Sequence, residues 1–551
     1  MKLGFLQLNS TIGDFAANQN KLLAGYQKAV ALGAEFVLAP ELFLCGYPPR
    51  DLLLREDFVD ANLAAVRETA KKTGAVPLCV GFVDKNPRRP GRALCNSAAI
   101  LQDGNIIWRT NKSLLPTYDV FDEDRYFEPE MKIAPFDFKG RKIGITICED
   151  IWNDEDFWPE RLYRRDPVKE LIAQGAELIV NLSASPWHDG KEKIRREMLR
   201  RVAHDERVPL AHVNLIGAND ELIFDGHSVA FDSRGEVVAS GKGFAEDVFV
   251  ADLEPVAGSR TASPGPPMEF PAREAQIFSA LSLGIRDYVH KCGFKSVIVG
   301  LSGGIDSALT AVLAVEALGR QNVLGVAMPA RYSSEGSLTD AEALAKNLGI
   351  RHEVLPIEPV FCAVEKQLEK IFAGLKTNEA EENLQSRLRG ATLMALSNKF
   401  GALVLTTGNK SEMAVGYCTL YGDMNGALAP LADVLKTDIY KIARWVNRRE
   451  AVIPENSILK PPSAELRPNQ KDQDSLPAYE TLDAILDLYI VKNSSKEQII
   501  QQGFDTEMVN EVLNKINFAE YKRRQAAPAL KISPRAFGMG RRIPIAQSFQ
   551  V

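Results

Sequence analysis

The sequence contains few cysteines, and none is spaced as metal-binding cysteines usually are. Seven cysteines are scattered over 551 residues, and no C-x-x-C pair occurs. An odd, dispersed set argues against a disulfide framework and against a zinc site, and it fits a reducing compartment. We therefore expect a cytoplasmic protein.

Long apolar runs and an excess of positive charge are also lacking. No run approaches the ~20 apolar residues needed to span a bilayer. The first residues, MKLGFLQLNSTIGDF, lack the basic start and long apolar core of a signal peptide. The 66 basic and 72 acidic side chains give a net charge of −6, which argues against nucleic-acid binding through a basic surface. We expect small-molecule partners, with neither nucleic acid nor membrane among them.

The length and the patterning indicate two α/β domains. A chain of 551 residues exceeds one ordinary hydrophobic core. Residues 1–253 alternate short apolar runs with amphipathic stretches, which predicts a sheet covered by helices. Residues 254–272 are rich in Pro, Gly and Ser, which predicts a linker. Strands and helices alternate again over residues 273–551, which predicts βαβ units and a doubly wound parallel sheet.

A glycine-rich turn opens the second domain's first helix. The stretch VIVGLSGGIDSALTAV places Gly303 and Gly304 between a buried strand and a helix, where the backbone and the helix N-terminus can approach an anion. No G-K-[ST] follows, so the turn is not a Walker A loop. A plain strand–helix turn is the alternative, but Asp306 and two serines add a metal ligand and hydroxyl donors. The predicted phosphate loop comprises Gly300, Leu301, Ser302, Gly303, Gly304, Ile305, Asp306 and Ser307.

This turn resembles the SGGxDS signature of the ATP pyrophosphatase superfamily, whose members split ATP into AMP and pyrophosphate. Two further segments, LTTGNKSEMAVGYCTLYGDMNGALAPLADVLKTDIYKIARW and PPSAELRPNQKDQDSLPAYE, resemble the core of NAD synthetases. The resemblance implies that ATP activates the nicotinate carboxylate of deamido-NAD as an acyl-adenylate, that ammonia then displaces AMP, and that Mg²⁺ is required. The second segment is also long and Pro-rich, as many lids are.

The resemblance also implies roles for single residues. It assigns Asp306 and Glu412 to the metal and Thr407 to ATP, and it makes Lys436 a cation for the phosphate charge. Without the resemblance, Lys436 could equally be a solvated helix lysine, and the two acids an N-cap and a surface acid. The positions that it assigns to deamido-NAD are Asn383, Glu412 and Lys522.

The first domain raises a different question at RKIGITICEDIW. Cys148 ends an apolar strand, and the two acids after it would raise the pKa of a thiol. A lone cysteine is more often a buried structural residue. Two other segments favour a nucleophile, because Glu41 follows a strand in EFVLAPE and Lys112 ends one in IIWRTNK. A carboxylate, an ammonium and a thiol in this order resemble the Glu–Lys–Cys triad of the nitrilase superfamily.

The nitrilase resemblance implies a glutamine-hydrolysing site. Cys148 would attack the amide and form a thioester, Glu41 would act as general base, and Lys112 would stabilise the oxyanion. Glu123 matches a second acidic position with a helping role. If the strand continued past Cys148, Glu149 would point away from the sulfur. The positions matched to glutamine binding are Tyr118, Ser185 and Lys191, although the last two could also belong to an ordinary polar loop.

Over essentially its whole length, the chain resembles glutamine-dependent NAD synthetases. The resemblance implies an N-terminal nitrilase-like α-β-β-α sandwich, a Rossmann-like ATP pyrophosphatase domain after it, and a homo-oligomer. Two alternatives stay open at this point. One is another SGGxDS amidotransferase that makes a different amide or nucleotide. The other is an inactive scaffold or nucleotide-binding regulator, against which the full set of triad and metal-site residues argues.

Overall fold

The computed structural model of the protein describes residues 1–88, 90–253 and 270–549. The chain divides into two compact units, Met1–Phe270 and Pro271–Val551. Most of the predicted linker, residues 254–269, lies outside the described residues. Within the described part of the chain, no helix is both long and apolar enough to cross a membrane.

The first unit is built mainly from strands. Its strands are β1 (Lys2–Gln7), β2 (Phe36–Leu38), β3 (Leu78–Lys85), β4 (Leu94–Gln102), β5 (Asn105–Asn111), β6 (Phe136–Phe138), β7 (Arg141–Ile147), β8 (Leu178–Ser183), β9 (Leu210–Asn214), β10 (Ile216–Asn219), β11 (Leu222–Asp225), β12 (Val229–Phe231), β13 (Val237–Ser240) and β14 (Asp247–Asp252). Its α-helices are α1 (Phe15–Ala31), α2 (Glu56–Lys71), α3 (Pro167–Ala173) and α4 (Lys191–Asp205).

Two six-stranded sheets stack face to face in this unit. Their strand orders are β14-β1-β2-β3-β4-β5 and β13-β12-β9-β8-β7-β6. Alternate residues of a strand point to opposite faces, so Phe5 of β1 packs between the sheets with Ile145 of β7, whereas Leu6 packs on the side of α1 with Leu22. Helices α3 and α4 cover the outer face of the second sheet. The predicted α-β-β-α sandwich is confirmed.

The second unit has a small sheet and many helices. Its strands are β15 (Val297–Gly300), β16 (Val323–Ala327), β17 (Arg351–Val354) and β18 (Leu403–Leu405). Its α-helices are α5 (Arg273–Lys291), α6 (Ile305–Leu318), α7 (Glu335–Leu348), α8 (Glu358–Phe372), α9 (Glu379–Phe400), α10 (Lys410–Val415), α11 (Lys436–Val446), α12 (Glu455–Leu459), α13 (Tyr479–Leu486), α14 (Lys496–Gln501), α15 (Thr506–Phe518) and α16 (Glu520–Arg523).

The sheet of the second unit is parallel, with the strand order β17-β16-β15-β18. The chain adds β16 and β17 on one side of β15 and then returns to place β18 on the other side. The order therefore reverses between β15 and β18. In doubly wound sheets such a reversal leaves a crevice at the carboxyl ends of the strands, where ligands bind. The predicted phosphate loop follows β15 and opens into this crevice.

Candidate active sites

Three strands of the first unit deliver the predicted triad to one place. Glu41 comes shortly after β2, while Lys112 and Cys148 directly follow β5 and β7. All three side chains are buried. Lys112 Nζ lies 2.7 Å from Glu41 Oε1, and the charges of both residues act on the Cys148 thiol. The structure thus brings the carboxylate, the ammonium and the thiol together.

Lys112 is shared by two carboxylates. Its Nζ also lies 2.9 Å from each carboxylate oxygen of Glu123, which accepts a further hydrogen bond from the Tyr47 hydroxyl. Burial alone would lower the pKa of Lys112, but Glu123 and Glu41 outweigh burial and raise it well above its ordinary value. Burial and Glu41 raise the pKa of Glu123 to about 7, against the opposing effect of Lys112. The ammonium therefore stays charged at neutral pH.

Cys148 sits on a sharp turn rather than in the strand. Its φ is +42°, and it begins a 3₁₀ turn that spans Cys148–Ile151. The Ser183 hydroxyl donates a hydrogen bond to its sulfur at 3.2 Å. Burial and the charge of Glu41 raise the pKa of the thiol, although Lys112 and Ser183 act in the other direction. The resting sulfur is therefore a neutral thiol that needs a base to become a nucleophile.

Asp150 ties the segment of Lys112 to the turn of Cys148. Its Oδ1 accepts hydrogen bonds from the backbone N–H groups of Ser113 and Leu114 at 2.9 and 2.8 Å. Its Oδ2 accepts one from the backbone N–H of Ile147 at 2.9 Å. Burial raises its pKa to about 6, although the three N–H groups favour the charged form. One carboxylate thus holds two strand ends of the site together.

Glu149 is buried, as Cys148 is. Because β7 ends at Ile147, both residues lie in the turn that follows the strand. The expectation that Glu149 points away from the sulfur required a continuing strand, so it does not apply. Its carboxylate accepts hydrogen bonds from the hydroxyls of Tyr118 and Tyr163, at 3.0 and 3.1 Å. Burial raises its pKa, and the positive charges of Lys112 and Lys191 oppose that rise. The acid after Cys148 therefore belongs to the site's polar wall.

The other two residues matched to glutamine binding lie after β8. Ser185 is buried, and its backbone N–H donates to Asn214 Oδ1 at 3.0 Å. Lys191 begins α4, where its Nζ donates to the Pro186 carbonyl at 2.8 Å and lies 5.3 Å from the ring centroid of Trp152. The positive charge of Lys191 also acts on Glu149, whose carboxylate the Tyr118 hydroxyl contacts directly.

In the second unit, the predicted phosphate loop joins β15 to α6. Gly303 has φ +73°, and a Cβ atom at this position would lie 2.2 Å from the Ser337 carbonyl oxygen. The Ser307 hydroxyl donates to the Gly304 carbonyl at 3.0 Å, and the Gly304 N–H donates to Ser302 Oγ at 3.2 Å. The loop is thus closed on itself in a shape that requires glycine at position 303.

Two carboxylates meet at the buried ammonium of Lys436. Its Nζ lies 2.5 Å from Asp306 Oδ2 and 3.3 Å from Glu412 Oε1. Asn409 joins the same acids, because its Nδ2 donates to Asp306 Oδ1 at 3.0 Å and its Oδ1 accepts the Glu412 N–H at 3.0 Å. Burial would lower the pKa of Lys436, but the adjacent carboxylates raise it. Lys436 is not a solvated helix lysine.

Asp306, Glu412 and Lys436 line a cavity of about 300 Å³. Its wall includes Thr407 and most of the phosphate loop, and the residues of PPSAEL line it as well. Asp472, further along the same Pro-rich segment, also borders it. Glu465 accepts hydrogen bonds from the hydroxyls of Ser334 and Ser337, at 2.9 and 2.7 Å. The segment thus covers the cavity and is bound to the start of α7.

Asn383 and Lys522 lie outside the lining of this cavity. Asn383 Oδ1 accepts the Thr419 hydroxyl at 2.7 Å. Lys522 Nζ donates to the carbonyls of Gly416 and Cys418, both at 2.7 Å. Both residues therefore hold the segment that follows α10, and among the described residues neither forms a hydrogen bond or ion pair with Glu412.

Both units match known protein families. The sequence matches the carbon-nitrogen hydrolase family over residues 2–261 and the NAD synthase family over residues 277–526. It is 48% identical over 551 residues to the glutamine-dependent NAD(+) synthetase of Synechocystis sp., covering 99% of each chain. It is 44% identical to that of Thermotoga maritima, covering 100% of this chain and 99% of the relative. The chain belongs to the glutamine-dependent NAD(+) synthetase family.

Solved structures of the family share the fold. A glutamine-dependent NAD+ synthetase from Acinetobacter baumannii, in complex with ADP, is 38% identical with a TM-score of 0.76, covering 99% of this chain and 98% of that one. One from Cytophaga hutchinsonii has a TM-score of 0.82 at 21% identity, covering 100% of this chain and 98% of that one. At 21% identity, the similarity to the Cytophaga hutchinsonii structure supports the shared fold only.

The carboxylates of the second site fit a divalent cation. Burial, Asp306 and Asp472 raise the pKa of Glu412 to about 8, against the effect of Lys436. Within the described ranges of the chain, the buried Asp472 Oδ1 has no hydrogen-bond partner. Among the described residues, no cluster of three or more His, Cys, Asp or Glu is arranged as a metal cage. Hard oxygen ligands that leave room for phosphate and water are what Mg²⁺ prefers.

Motif reasoning missed several polar residues of both sites. Asn96 donates from Nδ2 to Glu41 and Glu123, at 2.7 and 3.3 Å. Such a residue gives no signal inside the apolar stretch of β4. Ser183, inside β8, was missed for the same reason. Asp150 was considered only as an acid that would raise the pKa of the thiol, and its role in holding the two segments together was missed. Asn409 could have been found, because Asn three residues before Glu412 is the pattern of a helix capping box.

Proposed function

We propose that this chain makes NAD from deamido-NAD, ATP and glutamine. Two features in one chain support the proposal. One is the buried Glu–Lys–Cys cluster, which suits amide hydrolysis. The other is the phosphate loop with its carboxylate pair, which suits activation of a carboxylate by ATP. The observation that carries most weight is that both occur in a chain 48% identical, end to end, to a glutamine-dependent NAD(+) synthetase.

Glutamine hydrolysis is assigned to residues 1–253. Cys148 Sγ attacks the amide carbon while Glu41 takes the thiol proton, and Lys112 stabilises the negative oxygen of the tetrahedral intermediate. Glu41 then returns the proton to the departing ammonia, which leaves a γ-glutamyl thioester. Water attacks the thioester with Glu41 again as base and releases glutamate. Glu123 supports Lys112.

Glutamine is held, in this proposal, by the residues around the polar wall that Glu149 forms. These residues are Tyr118, Ser185 and Lys191. Their hydroxyl and ammonium groups suit the polar ends of an amino acid. Tyr118 donates to the Glu149 carboxylate, and the charge of Lys191 acts on it.

Amide formation is assigned to residues 273–551, with 254–272 as the linker. The carboxylate of deamido-NAD attacks the α-phosphorus of ATP and releases pyrophosphate. Ammonia then attacks the acyl-adenylate, loses a proton and displaces AMP. Mg²⁺, when bound by Asp306 and Glu412, neutralises phosphate charge. Lys436 and Thr407 contact the phosphates from the cavity wall.

Deamido-NAD is proposed to contact Glu412 together with Asn383 and Lys522. The last two position the segment after α10, which adjoins the cavity. We also propose a homo-oligomer in the cytoplasm. The seven scattered cysteines include no C-x-x-C pair, which supports a reducing compartment. Light scattering of the purified protein tests the oligomer.

Cys148→Ala tests the division of labour. We expect the variant to lose NAD formation from deamido-NAD, ATP and glutamine, and to keep the wild-type rate when ammonium replaces glutamine. Both rates are read as NAD produced. Cys79→Ala, which changes another buried cysteine of the same core, should keep both activities. Loss of both activities in Cys148→Ala alone would contradict the assignment of the two reactions to separate sites.

A further inference from the structure

Strand β8 presents two polar side chains to the turn that carries Cys148. Asn181 and Ser183 are two residues apart, so they lie on the same face of the strand, and both are fully buried. Asn181 Nδ2 lies 3.4 Å from the Cys148 carbonyl oxygen. The Ser183 hydroxyl lies 3.2 Å from the Cys148 sulfur. One side chain thus contacts the backbone of the nucleophile, and the other contacts its reacting atom.

The hydroxyl of Ser183 contacts the sulfur of Cys148 directly. Among the described residues, its only hydrogen bond is the one to Cys148 Sγ. A thiol can donate or accept, but a thiolate can only accept. Once the sulfur loses its proton, the hydroxyl is therefore the donor and its hydrogen points at the negative charge.

A buried Cys148 thiolate requires a hydrogen-bond donor to stabilise its charge. The ammonium of Lys112 makes close contacts to three carboxylate oxygens of Glu41 and Glu123, at 2.7 to 2.9 Å. The Lys112 ammonium is therefore already paired with carboxylates and is not reserved for the Cys148 sulfur. Buried anions are costly unless a hydrogen bond or an opposite charge compensates them. A neutral hydroxyl supplies a hydrogen bond without adding a second positive charge beside Lys112.

We propose that Ser183 is a further catalytic residue of the glutamine-hydrolysing site. Its hydroxyl stabilises the Cys148 thiolate when Glu41 removes the proton, and again when the sulfur departs during thioester hydrolysis. The serine keeps its own proton throughout. The inference rests on the proposed role of Cys148 as nucleophile.

Direct labelling of Cys148 measures this effect without any substrate. The thiolate is the form that reacts with iodoacetamide, and mass spectrometry of the Cys148 peptide gives its labelling rate between pH 7 and pH 10. In Ser183→Ala, we expect the curve of rate against pH to move up by about half to one pH unit, which is a ~3- to 10-fold slower reaction at a given pH. Ser183→Thr, which keeps a hydroxyl, should restore much of the rate.

Turnover gives a second measurement. For glutamine hydrolysis by Ser183→Ala, we expect kcat to fall about tenfold or more with KM within about twofold of wild type, because hydrogen bonds to charged groups are worth roughly that much. NAD synthesis from ammonium should not change. Ser228→Ala removes another buried hydroxyl of the same unit, which accepts from the Asn214 N–H, and it should leave the labelling curve in place.

Two outcomes would overturn the inference. An unchanged labelling curve in a folded Ser183→Ala protein means that the hydroxyl does not act on the sulfur. A rise in KM with an unchanged kcat means that Ser183 serves glutamine binding instead. Neither result touches the Cys148→Ala comparison, so failure of this inference and failure of the proposed function are distinguishable.

Discussion

At the scale of single residues, both sites contain a residue in the left-handed region of backbone space. Cys148 has φ +42° and Gly303 has φ +73°. The conformation costs a side-chain-bearing residue about 1–2 kcal/mol, and such residues concentrate where function requires them. At position 148 it presents a sulfur at the end of a strand. At position 303 it lets the loop pass beneath the Ser337 carbonyl.

Replacement of Gly303 by Ala should disable the second site. The new Cβ would lie 2.2 Å from a backbone oxygen, so the loop or α7 must move, and the left-handed φ adds strain. We expect a lower thermal midpoint and at least a tenfold loss of NAD formation with either nitrogen source. Gly304→Ala is the control for stability, since its φ is −80° and its Cβ would meet only the Ser302 hydroxyl, at 3.2 Å. Equal stability of the two variants would contradict this explanation.

The sequence predicted the triad residues of the first site better than the neutral polar side chains that contact them. Glu41, Lys112 and Cys148 stood out because each lies at a strand end within a recognisable motif. Asn96 and Ser183 lie inside apolar strands, where nothing in the local pattern separates a structural amide or hydroxyl from one that touches a reacting group. Their meaning depends on contacts between segments far apart in the chain, which a single sequence does not show.

At the scale of elements, the neighbouring strands β8 and β9 form a buried polar chain behind Cys148. His212 Nδ1 lies 2.8 Å from Asn181 Oδ1, and Asn181 in turn reaches Thr146 Oγ1 at 3.0 Å. Burial lowers the pKa of His212 to about 3, with a further lowering by Arg195. A neutral imidazole therefore donates its Nδ1 hydrogen to Asn181 and fixes the orientation of that amide.

His212 makes the first unit sensitive to acid. Its folded pKa of about 3 lies below the unfolded value of about 6.5, so below pH 6.5 the unfolded chain binds the extra proton and stability falls as the pH drops. Between pH 7 and pH 5 the loss should be about 2 kcal/mol. His212→Asn should remove that part of the slope.

Urea unfolding at both pH values, followed by tryptophan fluorescence, measures the slope. Four of the five tryptophans lie in the first unit, so the signal reports mainly on it. His204→Asn, at an exposed position on α4, should keep the wild-type slope. An equal slope in wild type and His212→Asn would mean that His212 does not cause the acid sensitivity.

Hydrophobic patterning predicted the central elements of both units. The apolar runs of β1, β7, β8, β15 and β16 are buried on both faces, and the helical patterns of α5, α6 and α7 appear where expected. The strands between residues 210 and 252 gave no such signal. They are short and carry buried polar side chains such as Asn214 and Asp225, whose partners lie on other strands.

At the scale of the whole molecule, each unit has its own sheets, its own core and its own candidate site. Residues of the triad all lie in Met1–Phe270, and those that line the phosphate cavity all lie in Pro271–Val551. The two reactions should therefore be separable by substitution in either unit. The Cys148→Ala experiment tests this separation by a substitution in the first unit.

Asp306→Asn tests the separation of the two reactions by a substitution in the second unit. The carboxylate contacts Lys436 and Asn409 in the phosphate cavity and is a proposed Mg²⁺ ligand. We expect at least a hundredfold loss of NAD formation with glutamine or ammonium, and loss of pyrophosphate release. Glutamate release from glutamine should persist. Asp505→Asn, which replaces one good N-cap of α15 by another, should change none of these rates. Wild-type synthesis by Asp306→Asn would exclude a needed role for this carboxylate.

The buried, protonated state of the Cys148 thiol has a consequence for how the enzyme responds to oxidants. Peroxide oxidises thiolates rather than thiols, and it must reach the sulfur. A nucleophile that is 4% exposed, and that ionises only when its own base removes the proton, offers peroxide little to attack. We therefore expect peroxide to inactivate the use of glutamine more slowly than it inactivates proteins whose cysteines rest as thiolates.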